Sequence, residues 1–403
     1  MDLQTLRTSA EDLDALLDEL AADGALWAPA RQGAEVVFRR VGDAREICRD
    51  YVNTLVPPRD LLMPSPERLL AYSVAAGVPA LDPPAGEAPA ESVLFGARSC
   101  DVAGLAYVER FLSGEVFGRP DLADPGFLAR RRAMTVLSVT CEEPGPTCMC
   151  VCCKGGPALA SGYDWQLTRL ESGWLVEVGS ERGALLAGRF AGRLQPADAA
   201  DLAAKEALVA RVVRDFERHS TRRVQTMAAA RMVSAGRLSP AFWARLGERC
   251  FECGGCAFVC PTCTCFNVAD VGAPGAAAEA GPGAVAPAVP GGPVAAPADG
   301  HWERVRLRDC CTLPGFVRQA GGAYPRWTTG ERCLTRFFHK LSWQFHERME
   351  APGCTGCGRC GVVCLGELGI ARVAEAMTAE LTGTAPPAAR ARAGAAGPKG
   401  GGA

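Results

Sequence analysis

Two cysteine runs in the C-terminal half of this chain repeat one spacing, and together they constrain the fold more than any other feature. The first is Cys250-x2-Cys253-x2-Cys256-x3-Cys260-Pro261 and the second is Cys354-x2-Cys357-x2-Cys360-x3-Cys364. The x2-x2 spacing lets a tight loop direct three thiolates at one cubane iron–sulfur cluster. The x3 step carries the fourth cysteine onto a helix that faces a neighbouring cluster. The pair of runs therefore predicts two 4Fe–4S clusters that exchange their fourth ligands. Cys250, Cys253, Cys256 and Cys364 form one set, and Cys354, Cys357, Cys360 and Cys260 the other. Gly254, Gly255, Gly356 and Gly358 fit this reading, because a loop around a cluster needs free backbone angles and close approach to sulfur.

Composition supports metal over disulfides. The chain has 403 residues and 20 cysteines, whereas disulfide scaffolds are short, secreted domains. The cysteines concentrate in residues 141–153, 250–265 and 354–364, as soft thiolate sites do. With 43 Lys+Arg against 45 Asp+Glu, nothing points to nucleic acid or an anionic membrane. No stretch approaches the ~18 apolar residues of a membrane span. The first residues turn acidic by Glu11 and Asp12 with no basic, then apolar, leader, so a cytoplasmic protein is expected. Zinc is the competing metal, in a stapled interaction protein without redox chemistry. Zinc frameworks, however, pair Cys-x2-Cys knuckles, not four-cysteine runs. Gly356-x-Gly358-x-x-Gly361 matches the dinucleotide fingerprint in letters but lacks a preceding strand and is interleaved with cluster cysteines.

The patterning predicts an α/β N-terminal domain over residues 1–195. A mainly helical, bacterial-ferredoxin-like dicluster domain follows over 196–383, and a disordered tail over 384–403. Ser9 caps a helix carrying Leu13, Leu16, Leu17 and Leu20. After a Pro/Gly-rich loop from Pro79 to Pro89, Val93-Leu94-Phe95 reads as a buried strand. A helix bearing Val102, Leu105 and Val108 comes next, then a second strand over 134–139. Strand, helix, strand predicts a right-handed βαβ unit with parallel strands. It would put Cys100 and Cys141 at the carboxyl ends of neighbouring strands, where α/β sheets place ligands. Residues 174–178 form a further strand, and 198–218 and 222–235 two helices. The Ala/Gly/Pro/Val-rich stretch 271–300 reads as a disordered insertion in the dicluster domain.

A third cysteine group, Cys141, Cys148, Cys150, Cys152 and Cys153, matches no cluster spacing but is too dense for simple packing. Cys100, Cys141, Cys148 and Cys150 are candidate ligands for a third metal or iron–sulfur site. Cys263, Cys265, Cys310, Cys311 and Cys333 could be further ligands, sulfurs beside a cluster, or small apolar side chains in the core. Arg304, Arg306 and Arg308 alternate along a strand, and Arg332, Arg336, His339 and Lys340 follow helical spacing. They read as a solvated face, as charges balancing anionic clusters, or as a docking surface for an acidic partner. His339 and His346 have no cysteine nearby in sequence and are weak ligand candidates.

With these residues in view, the chain resembles the beta subunits of cytoplasmic sulfhydrogenases and the related A subunit of anaerobic sulfite reductase. The resemblance runs through Gly96-Ala-Arg-Ser-Cys100-Asp101, residues 141–150, Gly162-Tyr163-Asp164 and residues 250–266. It continues in Arg308-Asp309-Cys310-Cys311, Glu331-Arg332, His339-Lys340 and the second cysteine run. The chain departs at Leu365, where the first run has Pro261, at the doubled Cys310-Cys311, and in its long insertion. The resemblance implies a relay subunit without a catalytic site of its own. A separate flavin subunit would handle NAD(P)H, and a nickel–iron hydrogenase or sirohaem subunit would carry the terminal chemistry. A second reading makes the chain a stand-alone reductase with a substrate site near Cys100 and Cys141.

Overall fold

The computed structural model describes residues 4–82, 89–218, 222–272, 299–316, 318–319 and 323–384. Twelve strands form two sheets. They are β1 (Thr5–Thr8), β2 (Leu26–Gln32), β3 (Glu35–Arg40), β4 (Glu67–Ala75), β5 (Val78–Leu81), β6 (Ser92–Ala97), β7 (Met134–Val139), β8 (Trp165–Leu170), β9 (Gly173–Val178), β10 (Gln195–Pro196), β11 (Phe266–Gly272) and β12 (Gly300–Arg308). The larger sheet has the order β10-β1-β9-β8-β7-β6-β2-β3, and its centre, β2-β6-β7-β8, is parallel.

That centre is parallel because β6 and β7 are nearly continuous apolar runs that need cover on both faces. Alternate residues serve the two sides. Phe95, Leu137 and Val139 join a core with Leu13, Leu16 and Trp165, while Leu94 and Val136 pack with Leu105, Val108 and Phe127. The first helix spans Ala10–Ala22, and the Ser9 hydroxyl accepts from the Asp12 N–H at 3.0 Å. A second helix, Ser99–Leu112, follows β6 directly. Cys100 therefore stands in the first helical turn after β6, and Cys141 lies two residues beyond β7, on one edge of the parallel sheet.

The smaller sheet, β11-β12-β4-β5, is antiparallel throughout and draws on both sides of residue 195. Strand β5 occupies the start of the segment expected to be a loop from Pro79. The insertion expected over 271–300 is narrower than its composition implied, since β11 runs to Gly272 and β12 begins at Gly300. Residues 273–298, and the tail from 385 onward, lie outside the described residues.

Arg304, Arg306 and Arg308 do alternate along β12, but they are not a free docking face. Arg304 holds Asp270 at 2.8 and 2.9 Å, buried Arg306 binds Glu67 and Asp124, and Arg308 binds Asp60. Carboxylates distant in sequence neutralise each of them. The third core is helical. Phe216, Met232, Trp243, Phe337, Val373 and Met377 pack together, and Met149 reaches into them from the cysteine-rich loop of the sheet domain. Among the described residues, no helix is long and apolar enough to cross a membrane.

Candidate metal centre

The sequence repeat is also a backbone repeat. Glu252 and Gly254 adopt φ of +53° and +73°, and Gly356 and Gly358, at the same positions of the second run, adopt +70° and +78°. A short helix follows each loop, Gly255–Phe258 after the first and Arg359–Val363 after the second. Each loop thus curls through two left-handed residues before its helix begins, with Cys357 buried between them in the second loop and Cys253 exposed in the first. Glycine supplies that conformation freely at three of the four positions.

Between the runs lies a cavity of about 370 Å³ whose walls include Cys256, Cys260, Cys354, Cys357 and Cys360. Cys260 interacts electrostatically with Cys354, Cys357 and Cys360 of the other run, and Cys256 with Cys364. Cys253 is exposed, and Cys250 lies in hydrogen-bond contact with Cys333. That contact pulls the Cys250 thiol down to about 6, whereas burial pushes Cys256 up to about 12.

Two cations of the helix Thr329–Leu341 stand against these thiols. Arg336 is 5% exposed and donates to the Leu368 carbonyl at 3.0 Å, and Lys340 is 9% exposed and donates to the Thr262 hydroxyl at 2.6 Å. Among the described residues neither meets a carboxylate at ion-pair distance. Burial works against both charges. The neighbouring Cys256, Cys360, Cys263 and Cys260 nonetheless hold Arg336 fully protonated, and Cys260 and Cys263 do the same for Lys340. A buried cation without a counter-ion costs several kcal/mol. The site is therefore built for an occupant of net negative charge, which thiolate-ligated iron–sulfur is. The chemistry of the donor set fits the group.

The third cysteine group also assembles. Cys100, Cys141, Cys148 and Cys150 line one small cavity of about 30 Å³, together with Asn53 and Cys357. Burial pushes Cys141 up to about 11 and Cys150 up to about 12. This nook shares Gly356 and Cys357 with the larger cavity, so the two sites have a common wall. The wall is closely made. The Met149 N–H donates to the Gly356 carbonyl at 2.7 Å, and the Asn53 amide to the Cys357 carbonyl at 2.7 Å. A buried ion pair clamps it from below, with Arg359 donating to Asp101 at 2.6 Å and to the Thr54 carbonyl at 2.8 Å. No spacing in the sequence links Arg359 or Asn53 to this site, and Asp101 enters the sequence reading only as the end of the Gly96–Asp101 stretch.

Several of the other cysteines are paired or packed. Cys263 lies against Cys260, Cys265 against Cys311, and Cys153 against Cys354. Cys310 meets the Thr312 hydroxyl at 3.0 Å. His339 packs on the Phe345 ring and His346 faces Lys154, so neither joins the cysteines. The element before Gly356 is the helix Trp343–Met349, not the strand a dinucleotide loop requires. Among the described residues, no three Cys, His, Asp or Glu side chains gather closely enough to hold a single metal ion. Sulfurs on one zinc lie about 3.8 Å apart, whereas those on the corners of a cubane stand farther from one another.

These loops have the form of a dicluster iron–sulfur site, and residues 249–281 and 295–368 match the 4Fe-4S dicluster domain family. Over its length the chain is also homologous to sulfhydrogenase 2 subunit beta of Pyrococcus furiosus. The two are 26% identical over 372 residues, which cover 90% of this chain and 95% of that protein. The C-terminal region thus carries a dicluster domain beside an α/β sheet domain.

Proposed function

We propose that this protein is a cytoplasmic electron-relay subunit of a multi-subunit oxidoreductase. It would pass single electrons between a flavin subunit that uses NAD(P)H and a catalytic subunit of the nickel–iron hydrogenase or sirohaem type. Homology to a sulfhydrogenase subunit supports the complex, and the dicluster domain supports the relay. One observation carries the reading: Arg336 and Lys340 are buried among thiols with no carboxylate among the described residues to pair with. In the proposed assignment Cys250, Cys253, Cys256 and Cys364 hold one 4Fe–4S cluster, and Cys354, Cys357, Cys360 and Cys260 the second. A third is held by Cys100, Cys141, Cys148 and Cys150, and the dicluster domain spans residues 196–383.

When bound, such clusters accept and release one electron each, with little movement of their ligands. The chain's own residues do the rest. Arg336 and Lys340 offset the added negative charge on reduction, and the wall at Gly356 and Cys357 keeps water out from between the second and third sites.

The test is anaerobic purification with iron counting and low-temperature EPR. About eight irons per chain would remove the third cluster, and about twelve would support it. A colourless, zinc-containing protein would sink the relay reading. Sustained substrate turnover by the lone subunit with an artificial donor would favour the stand-alone reductase.

A further inference from the structure

The two cysteine loops share a backbone but not their surroundings. In the second loop every residue from 355 to 359 is buried. A Cβ on Gly356 would lie 2.4 Å from the Met149 carbonyl carbon, and one on Gly358 2.7 Å from the Thr147 carbonyl carbon. The covering segment is the one that carries Cys148, Cys150 and Cys153. The chain thus lays a cysteine-bearing segment over the outer face of the second loop.

Among the described residues, no segment covers the same face of the first loop in this way. Phe251 is 69% exposed, where Thr355 at the equivalent position is 8% exposed, and Cys253 is exposed where Cys357 is buried. Two more apolar side chains stand beside it, Val362 at 71% and Leu365 at 64% exposure. Both flank Cys364, and their segment touches the first loop. A Cβ on Gly366 would fall against the Arg249 carbonyl oxygen, and one on Gly255 would lie within 4 Å of both Cys253 and Val363. The charges at the rim are already paired, Arg249 with Glu367 at 3.7 Å and Glu252 with Arg332. An apolar centre with a neutralised rim is what a protein interface looks like, not a solvated surface.

We propose that Phe251, Cys253, Val362 and Leu365 form the port through which electrons cross between this chain and a separate polypeptide. That partner carries a one-electron redox group close beneath an apolar contact surface. The port repeats between chains what the 147–153 segment does within this one. One electron passes from the cluster of the first loop to the partner's group, or the reverse, with no bond made or broken. The proposal rests on the relay reading above.

The test uses the assembled complex. Phe251→Glu and Leu365→Asp are each expected to leave iron content and reduction by dithionite unchanged. Electron flux between the complex's own donor and acceptor should fall about tenfold or more. Leu185→Glu, which alters an apolar residue 77% exposed on the sheet domain, should leave flux unchanged. A photo-crosslinking residue at position 251 should join this chain to a subunit bearing flavin or iron–sulfur. Unaltered flux with normal iron, or a crosslink to a second copy of this chain or to a subunit without a redox group, would overturn the port alone. Absence of iron from the unsubstituted protein would overturn the relay reading beneath it.

Discussion

Replacing Gly356 by alanine isolates the wall between the second and third cysteine sites. An added Cβ would lie 2.4 Å from the Cys150 nitrogen and the Met149 carbonyl carbon, and 2.5 Å from the Cys150 Cα. All three are backbone atoms, so no side chain can swing aside, and the 147–150 segment must shift by about 1 Å to reach ordinary contact. Two costs add. The left-handed backbone, φ +70°, costs a non-glycine residue about 1–2 kcal/mol, and overpacking costs about 1–3 kcal/mol more. Gly33 is the internal control. It has φ +61° and nothing within 4 Å of its Cβ position, so Gly33→Ala pays only the first cost. Denaturant unfolding of both variants, purified anaerobically, should therefore place Gly356→Ala about 1–3 kcal/mol below Gly33→Ala. If the proposed third site holds iron, that iron should be the first to go. Equal destabilisation of the two would refute the close contact.

Three further outcomes are expected. Cys260→Ser should remove the cluster built on Cys354, Cys357 and Cys360 while sparing the one nested in its own run. EPR showing the opposite loss would refute the crossed ligand sets. Asp101→Asn strands the buried Arg359 guanidinium and should cost roughly 3–5 kcal/mol in chemical denaturation; a change under about 1 kcal/mol would dismiss the clamp. His339 is held down at about 4 by burial, and then by Lys340 and Arg326. Between that value and the ordinary ~6.5 the unfolded chain binds a proton that the folded one does not. Its contribution is thus complete above about pH 6.5 and is lost as pH falls towards 4, by up to about 3 kcal/mol. His339→Phe should flatten that slope, and an unchanged slope would contradict it.

Local signals in the sequence located the elements well, because they depend on neighbours along the chain. Ser9 marked the first helix, the apolar runs at 93–95 and 134–139 marked β6 and β7, and the cysteine spacing implied two equivalent loops. Beyond the parallel β6–β7 unit, long-range pairings were not legible. Nothing near Glu67 announces that β4 pairs with β12, or that Arg306 finds its carboxylates at Glu67 and Asp124. Alternation therefore identified the strand but mistook a neutralised arginine for a free one. Arg359 shows the same limit: it sits inside a cysteine run, and its partner Asp101 is an ordinary residue of a helix's first turn. Density marked the third cysteine group, and the strand-helix-strand order already placed Cys100 beside Cys141, as the parallel β6 and β7 do.

The shared wall at Gly356 and Cys357 also fixes an order of manufacture. The nook that gathers Cys100, Cys141, Cys148 and Cys150 borrows part of its lining from residues 356 and 357, near the far end of the chain. A ribosome exposes the first four thiols long before that lining exists. They must wait, reduced and unshielded, until nearly all of the polypeptide has emerged. Closure of this nook, and any iron loading at the proposed third site, would therefore follow synthesis of residues 356 and 357, and a fragment ending before residue 354 would offer the thiols without that part of their enclosure.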